Sequence, residues 1–589
     1  MKALPSLRLM LCLAAAAASA AVHAAADADL ILVNGRILTV DAQDRIAQAV
    51  ALRDGRILDV GTDAQIRALA GEGAKIIDLQ GRTATPGLID THAHIAGGGW
   101  SVVYTVMLGD AASITEVQRR VAARVATLKP GEWVQGGGWD EGKFAERRYV
   151  LAADLDRISP QNPVWLSNTT GHYGVANSAA LALAGITAKT PDPPAGTIDR
   201  DASGKPTGVL KEAAQDLLTK HLPEPARAEW QAGIEEAIRL MHREGMTAAK
   251  DPDITPALWD AYAELAREGR LQAHVCTLLH TDPTLDSVRA NIDWLARLPK
   301  PPLEAARNLV SCGAKVYMDG SGAARTGWVY DDWYLDVGVP DTGNRGYPLI
   351  DPDLYREAMR LYTEAGVHVG THAIGDRAID WVVDTYAAVL KARPTRGLRH
   401  SIIHANLPTD HAIRQMAALQ RDHDAGYPET QGAFTWWIGD NYASHLSPAR
   451  LERLNPYQRY VANGVRWGGG SDYDVTPLPA RYGLWASVAR ETQRGTYGKT
   501  PFGTGQSVDA RTALRSFTSW AAHQLFLDDE AGSIEVGKSA DIAIWDRDPT
   551  TVPTAAIKDM KCEMTIFRGE IVYRAEGSTL GASTLSSAL

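Results

Sequence analysis

Apolar and polar residues alternate along this chain in two different rhythms. From residue 29 to 77 the apolar runs are short and broken by turn residues: Leu30-Ile31-Leu32-Val33, then Asn34-Gly35, then Arg36-Ile37-Leu38-Thr39-Val40. Two such runs joined by Asn-Gly predict a β-hairpin, because that dipeptide tolerates the positive φ of a tight turn. Ala49-Val50-Ala51-Leu52, Asp54-Gly55 and Arg56-Ile57-Leu58-Asp59-Val60 repeat the pattern. It returns near the C-terminus in Asp541-Ile542-Ala543-Ile544-Trp545 and in residues 564–573. Two β-rich ends around a different middle predict one small β-sandwich domain built from both termini, 27–84 and 528–577. The Ser-, Gly- and Thr-rich stretch 578–589 reads as a disordered tail.

The middle, 85–527, has the other rhythm. Short apolar strands at 246–250, 271–279, 314–318, 367–371, 401–404 and 465–470 alternate with segments of helical period at 231–242, 256–268, 354–365 and 377–390. Alternation of this kind is the signature of βα units closing a parallel barrel, so the fold class is α/β, a (β/α)8 TIM barrel. Residues 100–222 are too many for one barrel loop and read as a long insertion after barrel strand 1, covering the mouth where an active site would lie.

The first 26 residues belong to neither rhythm. Lys2 and Arg8 precede an apolar run from Leu9 to Val22, which ends in small residues at Ala24 and Ala26. This is the pattern of a signal peptide cleaved after Ala24 or Ala26, so the protein is expected to be exported, to the periplasm or beyond. The run is short for a membrane span, and Cys12 lies inside it rather than after it, where a lipid-anchor cysteine would stand. Three cysteines remain, Cys276, Cys312 and Cys562. Odd in number and far apart, they are expected to be buried thiols, with one bridge left open.

Composition narrows the function. A formal net charge of −10 over 589 residues, with no basic run, argues against a nucleic-acid partner. Sixteen Trp and 19 Tyr against six Phe suit wet, aromatic-lined cavities that take a small molecule. Stable membrane insertion is not expected, and a homodimer is left open.

The chemistry concentrates at predicted strand ends. Thr85-Pro86-Gly87-Leu88-Ile89-Asp90-Thr91-His92-Ala93-His94 puts two imidazoles on one face of an apolar strand, half of a first-row metal site. Downstream, Lys315, Tyr317 and Asp319 share a strand face, and further strands end at His372, His404 and Asp472. A lysine inside a barrel is costly unless it is neutralised or paired. Asp376, after Gly375 and before a helical pattern, reads as a helix N-cap or as a residue standing behind a metal ligand, rather than as a catalyst.

These residues resemble the amidohydrolase superfamily, most closely its YtcJ-like branch. The similarity runs through Pro86–His94, Gly137-Gly138-Trp139-Asp140, Gly171-His172, Met318-Asp319-Gly320-Ser321, Thr371–Asp376, Gly470-Ser471-Asp472 and the return at 532–542. It implies a metal centre at the C-terminal ends of the strands. His92 and His94 would hold one divalent metal and His372 and His404 a second. Lys315, carboxylated on its amine, would bridge them, zinc being the metal expected. Asp472 would be both a ligand and the proton carrier for the nucleophilic water. Trp139, Asp140, His172, Tyr317, Asp319 and Arg325 are the expected substrate contacts. One segment departs from the family pattern: residues 424–437, around strand seven, are wetter and more aromatic than expected.

The implied activity is hydrolysis of a small-molecule C–N bond, in an amide, lactam, N-acyl or N-formyl amine or cyclic urea. A single-metal deaminase of a heterocycle and a non-catalytic binding or regulatory protein are the alternatives. The first is disfavoured because no His-x-x-Glu accompanies His372 or His404, and the second because every ligand position is filled.

Overall fold

A computed structural model describes residues 27–300, 308–336, 338–493, 495 and 503–584. The stretch read as an export signal lies outside the described residues. At the centre, eight parallel strands follow one another in chain order: Leu88–Asp90, Met246–Ile254, His274–His280, Leu309–Tyr317, His368–Ala373, Ser401–His404, Tyr427–Thr430 and Gly468–Gly469. Seven of the junctions are ladders between successive strands. The eighth closes just past the strand ends, where Thr91 N–H donates to the Gly469 carbonyl at 3.0 Å. These strands are almost wholly buried, as those of a parallel sheet covered by helices must be.

The helices form where the chain supplies both an apolar face and a cap. Pro256–Arg267 begins after Thr255, whose side chain accepts the Leu258 N–H, with Pro256 at the first helical position, and it buries Trp259, Tyr262 and Leu265 against the strands. Asp376–Ala392 follows the fifth strand. Its N-cap is Gly375, and Asp376 is the first residue inside the helix, where its carboxylate accepts the Tyr330 N–H at 3.0 Å instead of capping.

Two further layers flank the barrel. The chain ends combine into two sheets, one of five strands and one of six, which share a core including Leu30, Ile37, Val50, Ile77, Ile544 and Ile566. The expected disordered tail is corrected in part. Ala582–Thr584 pairs antiparallel with Ala70–Asp78 and Leu580 is buried, so the segment adds an edge strand to the sandwich; 585–589 lie outside the described residues.

Between the first and second barrel strands, six strands from Val106–Met107 to Pro206–Glu212 make a mixed sheet of their own. Its core takes in Trp139, Phe144 and Tyr173, and also Trp333 and, from the short helices after the seventh strand, Phe434 and Tyr442. That shared core seats the sheet over the barrel mouth.

The cysteines are also corrected. Cys276 of the third strand and Cys312 of the fourth, with Cα atoms 5.7 Å apart, form a disulfide. Neighbouring strands bring them together, which their separation along the chain concealed. Cys562 is a buried free thiol, pushed up to about 12 by burial.

Candidate metal centre

The first barrel strand ends at Asp90, so His92 and His94 stand on the turn beyond it, His94 at the N-cap of the helix Ile95–Tyr104. They converge nonetheless. His92 Nε2 and His94 Nε2 lie 3.2 and 3.3 Å from the same atom, Asp472 Oδ1. The backbone forces the meeting: Asp472 N–H donates to the His92 carbonyl at 2.7 Å, and Asp90 accepts the N–H groups of His92 and Ser471. Asp472 and His404 both adopt positive φ, 55° and 71°. Non-glycine residues keep such backbones where the surroundings over-determine them, commonly at functional sites.

The other pair meets edge to face. His404 Nε2 is 3.0 Å from His372 Nδ1. His372 Nε2 donates to the Gly320 carbonyl at 3.1 Å, and His404 Nδ1 donates to Gln431 Oε1 at 2.8 Å, both partners being acceptors. The two facing nitrogens are therefore bare lone pairs, an arrangement that a cation between them satisfies. His92 Nδ1, His92 Nε2 and Asp472 Oδ1 are likewise buried without a hydrogen bond. Orphaned donor and acceptor atoms of this kind fit divalent metal. Among the described residues, His92, His94 and Asp472 form the one group of three acid, histidine or cysteine side chains close enough to hold an ion.

The electrostatics agree with that fit. Burial works against the Asp472 charge, yet His92, His94 and His404 together hold its carboxyl well below the usual range. Burial drives His372 and His404 well below the usual imidazole value, so they are neutral and free to ligate. Lys315 is buried on the fourth strand, its Nζ 4.5 Å from the Tyr317 ring centre, and burial lowers its amine to about 8. Its charge acts on His94, His372 and His404 alike.

The expected substrate contacts divide. His172 and Tyr317 line a cavity of about 1150 Å³ that opens above His94. Their ring centres lie 5.2 and 5.1 Å from that of His372, on the metal side of the cavity. His172 Nδ1 bonds Glu212 at 2.9 Å, and Tyr317 OH donates to Asp253 at 3.0 Å. The other four are corrected. Trp139 is wholly buried in the covering layer, where its indole N–H donates to the Leu166 carbonyl. Asp140 is buried beside it, its carboxylate accepting the Gly142 N–H. Asp319 accepts three backbone N–H groups, from Trp328, Ile374 and Gly375, and ties a loop to the fifth strand; burial raises it to about 7. Arg325 pairs with Asp341 at 3.0 Å. All four brace the loops around the cavity instead of lining it.

Sequence reasoning missed the layer beneath the histidines. Glu429 of the seventh strand points into the barrel, ion-paired with Lys250 of the second, and its free oxygen Oε2 lies 3.8 Å from His92 Nδ1. Gln431, two residues on, orients His404. The departure noted at 424–437 is therefore a supporting wall for two of the histidines. A signal existed: Lys250 ends an apolar run, and the logic that singled out Lys315 applies to it equally.

The chain belongs to the amidohydrolase family, whose sequence model matches residues 75–573. It is 31% identical over 574 residues to the N-substituted formamide deformylase of Arthrobacter pascens, covering 93% of this chain and 99% of that one. To the protein YtcJ of Bacillus subtilis it is 26% identical over 545 residues, 92% and 98% of the two chains. The fold matches that of an uncharacterized metal-dependent hydrolase from Pyrococcus horikoshii with a TM-score of 0.68 at 23% identity, over 89% of this chain and 99% of that one.

Proposed function

We propose that this protein is a metal-dependent hydrolase of a small-molecule C–N bond, and that N-acyl or N-formyl amines are its first candidates. The observation that carries the reading is the convergence of His92, His94 and Asp472 with His372 and His404 under one cavity, leaving buried ligand atoms without hydrogen-bond partners. The N-substituted formamide deformylase relative, similar along nearly its whole length, favours the same bond type.

A divalent metal held there would polarise the scissile carbonyl and acidify the attacking water. The protein's own groups do the rest. Asp472 faces His92 and His94 with Oδ1 and His404 with Oδ2, from where it takes the water's proton and passes it to the leaving nitrogen. Tyr317 and His172 flank the reacting carbonyl. Lys315 as a carbamate would add an anionic oxygen bridge between the two histidine pairs, and zinc is the metal we expect. Export through the N-terminal segment is part of the same reading, and the Cys276–Cys312 disulfide suits an oxidising compartment.

The test is elemental analysis of purified protein together with hydrolysis of an amide, lactam, formamide and cyclic urea series. Metal retained by the parent and lost by His92→Ala, with turnover of at least one series, supports the reading. A metal-free parent that cannot be loaded, or a loaded parent inert on all four, overturns it.

A further inference from the structure

One hydroxyl on the cavity wall has its proton already committed. Tyr317 lines the cavity beside His372, and its OH donates to Asp253 Oδ2 at 3.0 Å. His280 Nδ1 reaches Oδ1 of the same carboxylate at 2.6 Å. The three residues come from neighbouring strands: Asp253 lies near the end of the second, and His280 and Tyr317 end the third and fourth. The backbone is bent to let them meet. Asp253 has a φ of 146°, and the ladder skips it, Pro252 pairing with Leu278 and Ile254 with Leu279. A bulge re-aims a side chain, and strain of this kind persists where the surroundings over-determine it. Burial works against the Asp253 charge, yet the hydrogen bond and charge of His280 hold its carboxyl below the usual range. An ionised carboxylate has no proton to give, so both neighbours donate and the Tyr317 oxygen turns only lone pairs to the cavity. A substrate carbonyl oxygen set against it meets a second acceptor; an amide N–H set there is satisfied.

We propose that Tyr317 selects scissile amides that carry an N–H, its oxygen accepting that hydrogen, with Asp253 and His280 as positioning residues that keep the hydroxyl proton turned away. The substrates are then N-monosubstituted formamides and other secondary amides, and N,N-disubstituted amides and esters are disfavoured. This rests on the C–N hydrolase reading above. Water adds to the acyl carbon, the C–N bond breaks with its electron pair going to nitrogen, and Asp472 carries a water proton to that pair. The nitrogen keeps the hydrogen that Tyr317 held, so the products are a carboxylate and a primary amine, which leaves protonated. A site that bonds a substrate N–H rejects the analogue lacking it more strongly than a snug pocket rejects an extra methyl group.

Three formyl compounds test this on the zinc-loaded protein: N-butylformamide, N-butyl-N-methylformamide, and butyl formate, which lacks the N–H without the bulk of a methyl group. Tyr317→Phe should lower kcat/KM for N-butylformamide relative to each of the other two by about tenfold, the loss of one hydrogen bond. Asp253→Asn should do likewise. His280 Nδ1–H holds the asparagine oxygen, the amide NH2 then faces Tyr317, and the hydroxyl proton turns into the cavity. Relative rates cancel a loss of folded protein, which a merely structural role would produce equally for all three compounds. Binding without turnover is read by isothermal titration with N-butylmethanesulfonamide and its N-methyl derivative. The N–H compound should bind about tenfold more tightly, and Tyr317→Phe should erase the difference. A kinetic ratio unmoved in either variant, as when the hydroxyl donates to the carbonyl oxygen of every substrate, overturns the inference. If the binding difference depends on Tyr317 while no formyl compound is hydrolysed, N–H acceptance stands and the hydrolase reading falls. If formyl compounds are hydrolysed but the kinetic or the binding ratio ignores Tyr317→Phe, the hydrolase reading stands and this inference falls.

Discussion

Two lysines are buried inside this barrel, and their surroundings differ. Lys250 on the second strand meets Glu429 in a direct ion pair sealed from solvent. Lys315 on the fourth makes no ion pair among the described residues; Asp253 and Asp472 act on it only from a distance. Burial lowers both amines, and on Lys250 the adjoining Glu429 carboxylate opposes that shift. Removing an ion from water costs several kcal/mol, which a close counter-ion can repay. Lys250 has that repayment from the protein alone. Lys315 does not, and a buried lysine whose amine is lowered to about 8, and whose charge acts on His94, His372 and His404, is suited to chemistry rather than to structure.

Substitutions at the two positions should therefore fail in different ways. Lys315→Ala should lose nearly all turnover and at least one metal equivalent while melting close to the parent, and short carboxylic acids should restore part of the activity. Full activity in that variant would end the comparison. Lys250→Met leaves Glu429 charged, buried and unpaired, so about 3–5 kcal/mol of stability should go. Denaturant titration checks this, and adding Glu429→Gln should recover most of the loss.

Asp472→Asn should keep most of the metal and lose turnover about a hundredfold, because an amide cannot accept the water's proton. Loss of stability with turnover per folded molecule intact would instead make Asp472 a turn residue. Glu429→Gln alone should weaken metal binding about tenfold, read by chelator competition, since His92 then lacks the carboxylate behind Nδ1.

The smallest effect concerns pH. Lys315 is reactive toward carbon dioxide only as the free amine, and that fraction grows as pH rises through about 8. Metal-stripped protein given zinc at a fixed concentration of dissolved carbon dioxide should regain activity several-fold faster at about pH 9 than at about pH 7. A rate that falls over this interval would argue against carbamate formation at Lys315.

The barrel was legible because its signals are local. Thr255 and Pro256 mark a helix start, and the helical period from 256 to 268 lands within one residue of the observed end. His92, His94 and Asp472 were legible as metal-ligand types at strand ends, although the strand stops short of the histidines. What escaped depends on neighbours in space. Cys276 and Cys312 meet only because the third and fourth strands are adjacent. Glu429 acquires meaning only when the seventh strand faces the second across the barrel. Trp139 lies in a family-like motif, but the covering sheet turns its side chain into its own core. A motif gives residue types, not the direction in which they point.

The seam between the first and last strands has a consequence for how the protein matures. Asp90 accepts from Ser471, 381 positions later, and Asp472 hangs from the His92 carbonyl. The ion-binding group of His92, His94 and Asp472 thus does not exist in a growing chain until more than three quarters of it has been made. A ribosome-bound or truncated product has the two N-terminal histidines but no third side chain to close on the ion. Closure of the ion-binding group is in this way tied to completion of the barrel.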